Sequence, residues 1–282
     1  MLQWKIGDTT ITQLLEMSDS SGSIPVLPDA TPENLGQIDW LKPHFVSPEG
    51  NLILNIQMLI IETPTRKMVV DTCIGNDKNL NMDGWANLQL PFLDDLKQLG
   101  HDPDSIDTVI CTHLHVDHVG WNTRRVGDKW VPTFPNARYL MVDREFEFWR
   151  DLEEDPFGDV FGESVAPVFD AGLADLVKSD HTVGDGVWFE STPGHTPGHV
   201  SVHIESQGEH AIISGDMMHH PCQIARPEWV TPFDADNEAA FATRKAFLER
   251  YADEPVLVFG THFANPVAGR IVRDGKTYRF DV

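Results

Sequence analysis

The sequence has few cysteines, no long apolar run and few basic residues. Its three cysteines, Cys73, Cys111 and Cys222, are odd in number and lack paired spacing, so we expect reduced thiols rather than a disulfide framework. No apolar run reaches the roughly 18 residues that a transmembrane helix needs. The first residues also lack the basic and apolar regions of a signal peptide. We therefore expect no membrane span and a cytoplasmic location.

Acidic residues outnumber basic ones by 44 to 21, which gives a formal net charge of −23. Nucleic acids and anionic membranes are polyanions and repel such a chain, so both are excluded as expected partners, and a small molecule is favoured. With 282 residues, 41% of them apolar, the chain is long enough to bury a sizeable core. We expect one domain that comprises residues 1–282.

Two stretches lack a clear hydrophobic period. Residues 18–50 are rich in Pro, Ser, Asp and Gly, which predicts a long loop near the functional site, with a helical turn near residues 32–35. Trp40, His44 and Phe45 lie in this loop and line a substrate pocket, or the aromatics pin the loop to the core. Residues 151–176 are acidic with interrupted apolar positions, and they predict a helical excursion that covers the site or forms an oligomer contact.

Residues 111–120, CTHLHVDHVG, hold three imidazoles and a carboxylate within six positions. In an extended segment, side chains at i, i+2 and i+4 point the same way, so we expect His113, His115 and Asp117 to face one point. A turn at Asp117 then brings in His118. Neutral imidazoles and carboxylates are ligands of Zn²⁺, Mn²⁺ and Fe²⁺. The apolar run before the cluster predicts a buried strand that ends there, which favours a metal site over a solvated loop.

Three further fragments carry histidines or an aspartate in the same style. They are TPGHTPGH at residues 192–199, IISGD at 212–216 and FGTH at 259–262. Together with the HxHxDH pattern of the first stretch, they resemble in number and order the metal-binding signature of the metallo-β-lactamase superfamily. The four fragments are spread over most of the chain, and on all four we identify the chain as a member of that family.

The resemblance implies an α/β fold, the αββα sandwich of two mixed β-sheets flanked by helices. It also implies a dinuclear site with two divalent metal ions, zinc first, with manganese, iron or cobalt as alternatives. The ligands that it implies are His113, His115 and His199 for one metal, Asp117, His118 and His262 for the other, and Asp216 as the bridge. His195 is then structural, and Asp71, at the end of a strand, supports a ligand without binding metal.

The chemistry that the resemblance implies is hydrolysis. Two cations about 3.5 to 4 Å apart share a hydroxide with a pKa near 7, which attacks an electrophilic carbonyl carbon or phosphorus. The catalytic candidates are Asp117 and His219. His219 either donates a hydrogen bond or a proton to the substrate or only supports a ligand. Acyl-homoserine-lactone lactonases have Tyr at this position. In having His219 there, this chain instead resembles methyl-parathion-hydrolase-like and lactonase-like members.

The leading hypothesis is therefore a dinuclear metal hydrolase that uses a bridging hydroxide to open a neutral lactone or cleave an ester, with side activity on aryl esters or phosphotriesters. The first alternative is a glyoxalase-II-like thioesterase, which requires a basic patch for an anionic substrate. A second alternative, from a different class, is a non-catalytic binding protein on the same fold. Related enzymes are often homodimers, and the Trp- and Phe-rich loops are compatible with that state.

Overall fold

The computed structural model describes residues 2–282. These residues contain sixteen β-strands and seven α-helices. The strands are β1 (Gln3–Ile6), β2 (Thr9–Asp19), β3 (Leu54–Glu62), β4 (Lys67–Val70), β5 (Thr108–Ile110), β6 (Thr123–Val126), β7 (Lys129–Pro132), β8 (Arg138–Val142), β9 (Ala174–Val177), β10 (Thr182–Gly184), β11 (Val187–Ser191), β12 (Val200–Ser206), β13 (Glu209–Ile213), β14 (Val256–Phe259), β15 (Ala268–Asp274) and β16 (Thr277–Asp281). The helices are α1 (Pro32–Leu35), α2 (Phe92–Gln98), α3 (Val116–Val119), α4 (Asp143–Arg150), α5 (Ala166–Asp170), α6 (Cys222–Ala225) and α7 (Asn237–Tyr251).

The chain divides into two compact units. The first comprises Met1–Glu16 and Ile56–Lys178, and the second comprises Met17–Asn55 and Ser179–Val282. Each unit is built on a seven-stranded mixed sheet, and β6 and β7 form a separate two-stranded hairpin. The expectation of a single domain for residues 1–282 stays a prediction.

The sheet of the first unit has the strand order β1-β2-β3-β4-β5-β8-β9. The hairpins β1-β2 and β3-β4 are antiparallel, whereas β4, β5, β8 and β9 run parallel. β4 and β5 are almost entirely buried and read as continuous apolar runs, as interior strands of a parallel sheet do. The carboxyl ends of parallel strands meet at one edge, so the loops that begin at Asp71 and Cys111 are neighbours.

The sheet of the second unit keeps the sequence order from β10 to β16. Only β13 and β14 pair in parallel among its strands, since all other pairs are antiparallel. The same argument then places the residues that follow β13 beside those that follow β14, which are Asp216 and His262. The core of this unit includes Phe45, Met218 and Phe263.

The structure can be compared with the predictions for the two stretches without a period. Residues 18–50 contain α1 and a 3-10 turn at Asp39–Leu41, and Phe45 is fully buried in the core of the second unit, so this aromatic pins the loop. Of the predicted helical excursion over residues 151–176, Phe161–Val165 and Ala166–Asp170 form helices. The prediction was wrong for residues 174–176, which belong to β9, because the open edge of β8 supplies backbone hydrogen bonds that no local pattern shows.

Two expectations from composition can be compared with the structure. The three cysteines are buried and free, as predicted. Among residues 2–282, no helix combines the length and the apolar character needed to cross a bilayer.

Candidate metal centre

The histidine-rich stretch of the first unit occupies the loop after β5 and helix α3. His113 and His115 lie in the loop, and Asp117 and His118 lie on α3. The predicted extended segment was wrong, because β5 ends before the stretch and α3 begins within it. The side chains still converge. His113 Nε2 lies 3.0 Å from His115 Nδ1, the rings of His113 and His118 are 4.0 Å apart, and His118 Nε2 lies 3.8 Å from Asp117 Oδ1.

A buried carboxylate supports this stretch. Asp71 Oδ1 accepts a hydrogen bond of 2.8 Å from the Thr112 backbone N–H, and Oδ2 accepts one of 2.8 Å from the Thr112 hydroxyl. The same Oδ2 lies 2.8 Å from His118 Nδ1. The Nδ1–H therefore donates to Asp71, and the lone pair of His118 is on Nε2, the nitrogen available to a metal. Asp71 thus occupies the supporting position that the family resemblance implies.

Helix α4 contributes two groups that sequence reasoning did not assign to the site. Glu145 is 1% exposed, and its Oε1 accepts hydrogen bonds from the Leu114 backbone N–H at 3.2 Å and from Trp149 Nε1 at 2.7 Å. The Trp149 ring meets His115 edge to face, with centroids 5.1 Å apart. The i, i+4 spacing of Glu145 and Trp149 is visible in the sequence, but their contact with the loop depends on tertiary packing.

In the second unit, Asp216 and His262 form the centre of a second cluster. Asp216 Oδ2 lies 3.0 Å from His262 Nε2, and Asp216 Oδ1 accepts a hydrogen bond of 2.8 Å from the Thr261 hydroxyl. His262 Nδ1 lies 2.8 Å from the backbone carbonyl of Asn55 and donates to it. This bond fixes the tautomer that directs Nε2 at the Asp216 carboxylate.

The two histidines of the TPGHTPGH turn make opposite sets of contacts. His199 Nε2 accepts the Asp216 backbone N–H at 2.9 Å, and its Nδ1 lies 2.9 Å from the Thr192 hydroxyl, so both ring nitrogens are engaged by the protein. His195 instead donates from Nδ1 to Asp234 Oδ1 at 2.9 Å and directs Nε2 at Asp216 Oδ2, 3.7 Å away. A neutral imidazole has one lone pair. These contacts oppose the assignment of His199 as a ligand and of His195 as structural.

His219 lies among the donors of the second cluster. The ligand atoms of His195, Asp216 and His219 all lie within 4.8 Å of one another. His219 Nε2 is 3.4 Å from Asp216 Oδ2, and the ring lies parallel to that of His262 with centroids 5.9 Å apart. The next residue, His220, does not share this position, because its Nε2 bonds a backbone carbonyl and burial lowers its pKa to about 4.

The donor chemistry of each cluster fits a divalent transition metal. Imidazole nitrogens and carboxylate oxygens are the ligands of zinc and of its neighbours in the first transition series. The histidines of both clusters are almost completely buried, except for His115, and crowded buried donors cost free energy unless a proton or a cation is shared between them. The predicted residues that the structure brings together are His113, His115, Asp117 and His118 in the first unit, and Asp216, His219 and His262 in the second.

Known proteins resemble the chain in both sequence and fold. The family described as "Metallo-beta-lactamase superfamily" matches residues 54–262. An N-acyl homoserine lactonase of Bacillus sp is 26% identical over 230 residues, which cover 77% of this chain and 84% of the lactonase. A solved hydrolase, AbOPH of the β-lactamase superfamily, is 25% identical with a TM-score of 0.78 and coverage of 99% and 96%. AidC, a dizinc quorum-quenching lactonase, is 20% identical with a TM-score of 0.80 and the same coverage.

The matched residues 54–262 comprise well over half of the chain and include every fragment from which the family was inferred. The fold of the solved structures agrees with the predicted fold class, which is confirmed. The chain therefore belongs to the metallo-β-lactamase superfamily and is a metal-dependent hydrolase.

Proposed function

We propose that the chain is a dinuclear hydrolase that opens neutral lactones or cleaves esters, with aryl esters and phosphotriesters as secondary substrates. The observation that carries the proposal is the cluster in which His195, His219 and His262 surround the Asp216 carboxylate. A carboxylate among imidazoles is the donor set from which two-metal hydrolases are built. Relatives that are N-acyl homoserine lactonases, and a hydrolase among the solved structures, support the lactone and ester class.

The proposed ligand set has seven members and differs from the sequence prediction at one position. His195 replaces His199, because only His195 keeps a ring nitrogen directed at Asp216. Zinc is the first proposed metal, since AidC is a dizinc enzyme. The proposed ligands are His113, His115 and His195 for one metal, Asp117, His118 and His262 for the other, and Asp216 for both.

In the proposed reaction, residues of this chain orient the metal-binding side chains and transfer a proton to the leaving group. Two bound divalent cations supply Lewis acidity and lower the pKa of water. Asp71 and Asp234 each accept an Nδ1–H and so orient His118 and His195. Lactone opening adds water across the acyl–oxygen bond, and the leaving alkoxide then needs a proton. We assign that proton, or a hydrogen bond to the carbonyl oxygen, to His219. Asp117, the other catalytic candidate, acts as a ligand.

The proposal of neutral substrates is supported by charge. A net charge of −23 does not attract anions from solution. The thioesterase alternative needs basic residues that bind an anionic substrate. The candidates for this role are Arg124 and Arg125, which are exposed on the hairpin strand β6. A cytoplasmic location and a homodimeric state are further proposals, and both rest on the sequence alone.

The first experiment is an assay of proton release by protein of known metal content. The substrates are neutral lactones with acyl chains of several lengths, aryl esters, a phosphotriester, a thioester and a β-lactam. We expect turnover of lactones or esters with two metals bound per chain. Activity confined to the thioester would replace the proposal with its alternative, and inactivity on the whole panel with two metals bound would refute the substrate class.

Two variants test the assigned roles. Asp216→Ala removes the carboxylate that His195, His219 and His262 surround, and we expect hydrolysis to collapse and the metal content to fall. His219→Ala should lower turnover while the metal content stays at the parental value, because His219 is assigned to the substrate. His181→Ala, at a half-buried position just before β10, is the control. Loss of metal from His219→Ala would make His219 a ligand instead.

A further inference from the structure

A buried carboxylate lies behind His195. Asp234 Oδ1 is 2.9 Å from His195 Nδ1, and the exposed fractions of the two side chains are 1% for His195 and 0% for Asp234. Two backbone hydrogen bonds hold the loop of Asp234 against the turn of His195. The Ala235 N–H donates to the His195 carbonyl at 2.9 Å, and the Asp236 N–H donates to the Gly194 carbonyl at 3.0 Å. The contact between Asp234 and His195 is therefore part of a docked pair of loops.

The positive charge nearest to Asp234 comes from helix α7. Arg244 Nη2 lies 4.0 Å from Asp234 Oδ2, and both side chains are completely buried. The guanidinium also donates to three backbone carbonyls, those of Met217 at 2.9 Å, Pro227 at 2.6 Å and Trp229 at 3.1 Å. Met217 directly follows Asp216. Arg244 thus links the loop of Asp216 to the carboxylate behind His195.

The first half of α7 also fixes the backbone of the turn. The Thr243 hydroxyl donates to the Pro193 carbonyl at 2.6 Å. Gly194 has a φ of +134°, and a Cβ atom there would lie 2.2 Å from the backbone nitrogen of Ala240. The turn can approach α7 this closely only with glycine at residue 194. The helix is consequently a rigid support for the turn that carries His195.

We propose that Asp234 is a positioning residue for His195, held in place by Arg244, which fixes the Nδ1–H tautomer and the aim of Nε2 toward Asp216. The inference rests on the proposed function, in which His195 is a metal ligand. A metal-binding histidine commonly donates its second ring N–H to a carboxylate, which sets the tautomer and raises the basicity of the ligating nitrogen. Arg244 compensates the buried negative charge, since an isolated buried carboxylate is costly.

The second unit contains a matched control for this contact. His203 Nε2 lies 2.8 Å from Glu190 Oε2, and the Glu190 carboxylate is bonded further by the Tyr251 hydroxyl at 2.9 Å. This pair is also a carboxylate–histidine bond, with a carboxylate that is 22% exposed and also pairs with Arg250, and His203 is not a proposed ligand. Glu190→Gln therefore removes an equivalent carboxylate–histidine bond from the same unit without changing the metal centre.

The test compares the zinc affinity of the parent, Asp234→Asn and Glu190→Gln by competition with a chromophoric chelator. Asn is nearly isosteric with Asp, and we expect Asp234→Asn to bind zinc roughly 10- to 100-fold more weakly, whereas Glu190→Gln matches the parent. Equal affinities in the parent and Asp234→Asn, or equal losses in both variants, would overturn the proposal.

A second readout does not depend on metal or on substrate. Long-range ¹H–¹⁵N spectra of the metal-free protein report the tautomer of His195, which we expect to carry its proton on Nδ1 in the parent and in Glu190→Gln, but to lose that preference in Asp234→Ala. An unchanged tautomer in Asp234→Ala would overturn the positioning role. A parent that keeps this tautomer and hydrolyses no lactone or ester would refute the proposed function and leave the role of Asp234 standing.

Discussion

Asp71 Oδ2 and His118 Nδ1 are 2.8 Å apart, and both side chains are 1% exposed. Asp71 follows β4, and His118 belongs to the segment that follows β5, the parallel neighbour of β4. The second unit repeats this relationship. Asp216 follows β13, His262 follows its parallel neighbour β14, and the two side chains meet at 3.0 Å. In each unit, one pair of parallel strands places a carboxylate beside an imidazole.

The first prediction concerns Asp71→Asn. The Asp71 carboxylate accepts three hydrogen bonds, two from Thr112 and one from His118, and an amide has one accepting oxygen in place of two. We expect a zinc affinity about 10- to 100-fold lower, measured by chelator competition. The control is Asp107→Asn, an exposed carboxylate just before β5 that accepts from the Lys67 backbone N–H. An affinity equal to that of the control would remove Asp71 from its supporting role.

The second prediction concerns Gly120→Ala, directly after α3. A Cβ atom at residue 120 would lie 1.7 Å from the carbonyl oxygen of Ile74, and the Gly120 N–H already bonds the Cys73 carbonyl at 2.7 Å. The two backbones must separate, so we expect a loss of more than about 4 kcal/mol in the free energy of unfolding. Urea denaturation of the metal-free protein measures it. Gly127→Ala, where a Cβ meets nothing within 4 Å, should lose only about 1 to 2 kcal/mol through its positive φ. Similar losses in both variants would contradict the steric argument.

The elements with a strong period could be predicted from the sequence. The N-terminal hairpin, the hairpin of β3 and β4 and the closing hairpin of β15 and β16 lie where apolar patterns and turn residues indicate. β9 could not be predicted, because four residues become a strand only when the edge of β8 is present. Local sequence patterns therefore determine the hairpins, whereas the edge of the sheet at β8 determines the short strand β9.

The fragments that form the two side-chain clusters could also be located in the sequence, because His113, Asp216 and His262 each stand in a distinctive motif. The contacts that favour His195 over His199 could not. Both follow the same Pro-Gly pair, and the difference lies in partners 39 and 17 residues along the chain, Asp234 and Asp216. The repeated motif does not show which histidine has both ring nitrogens hydrogen-bonded within the fold and which one directs Nε2 at the Asp216 carboxylate.

The third prediction concerns Lys78, a buried lysine of the first unit. Its Nζ donates to the Thr123 hydroxyl at 2.7 Å and to the Glu163 carbonyl at 3.2 Å, and it lies 3.7 Å above the centre of the Trp130 ring. Burial lowers the pKa of Lys78 to about 7, although the Glu163 and Asp77 carboxylates act in the opposite direction. In the unfolded chain the pKa returns to about 10.4.

The sign of the pH effect follows from these two values. Between about pH 7 and 10 the unfolded chain holds the Lys78 proton and the folded chain does not, so the free energy of unfolding rises with pH by up to about 1.4 kcal/mol per unit. Below pH 7 both states are protonated and the contribution is constant. We expect Lys78→Met to lack this rise in urea denaturation at pH 7, 8 and 9, and the exposed Lys129→Met to keep it. Parallel profiles for the parent and Lys78→Met would refute the lowered pKa of Lys78.

The fourth prediction separates His195 from His199 by paired alanine variants. His195→Ala removes the imidazole whose Nε2 is directed at Asp216, so we expect it to lose one of the two metals. It also leaves the buried Asp234 carboxylate without its imidazole, so the metal-free protein loses stability as well. His199→Ala leaves the Asp216 N–H and the Thr192 hydroxyl without their imidazole, so we expect the metal-free protein to lose about 1 to 3 kcal/mol for these buried groups. Zinc titration and urea denaturation of both metal-free variants measure the two effects independently. If His199→Ala loses a metal and His195→Ala keeps both, His199 is the ligand after all. Metal binding would then have to break the hydrogen bond from the Asp216 N–H to His199 Nε2.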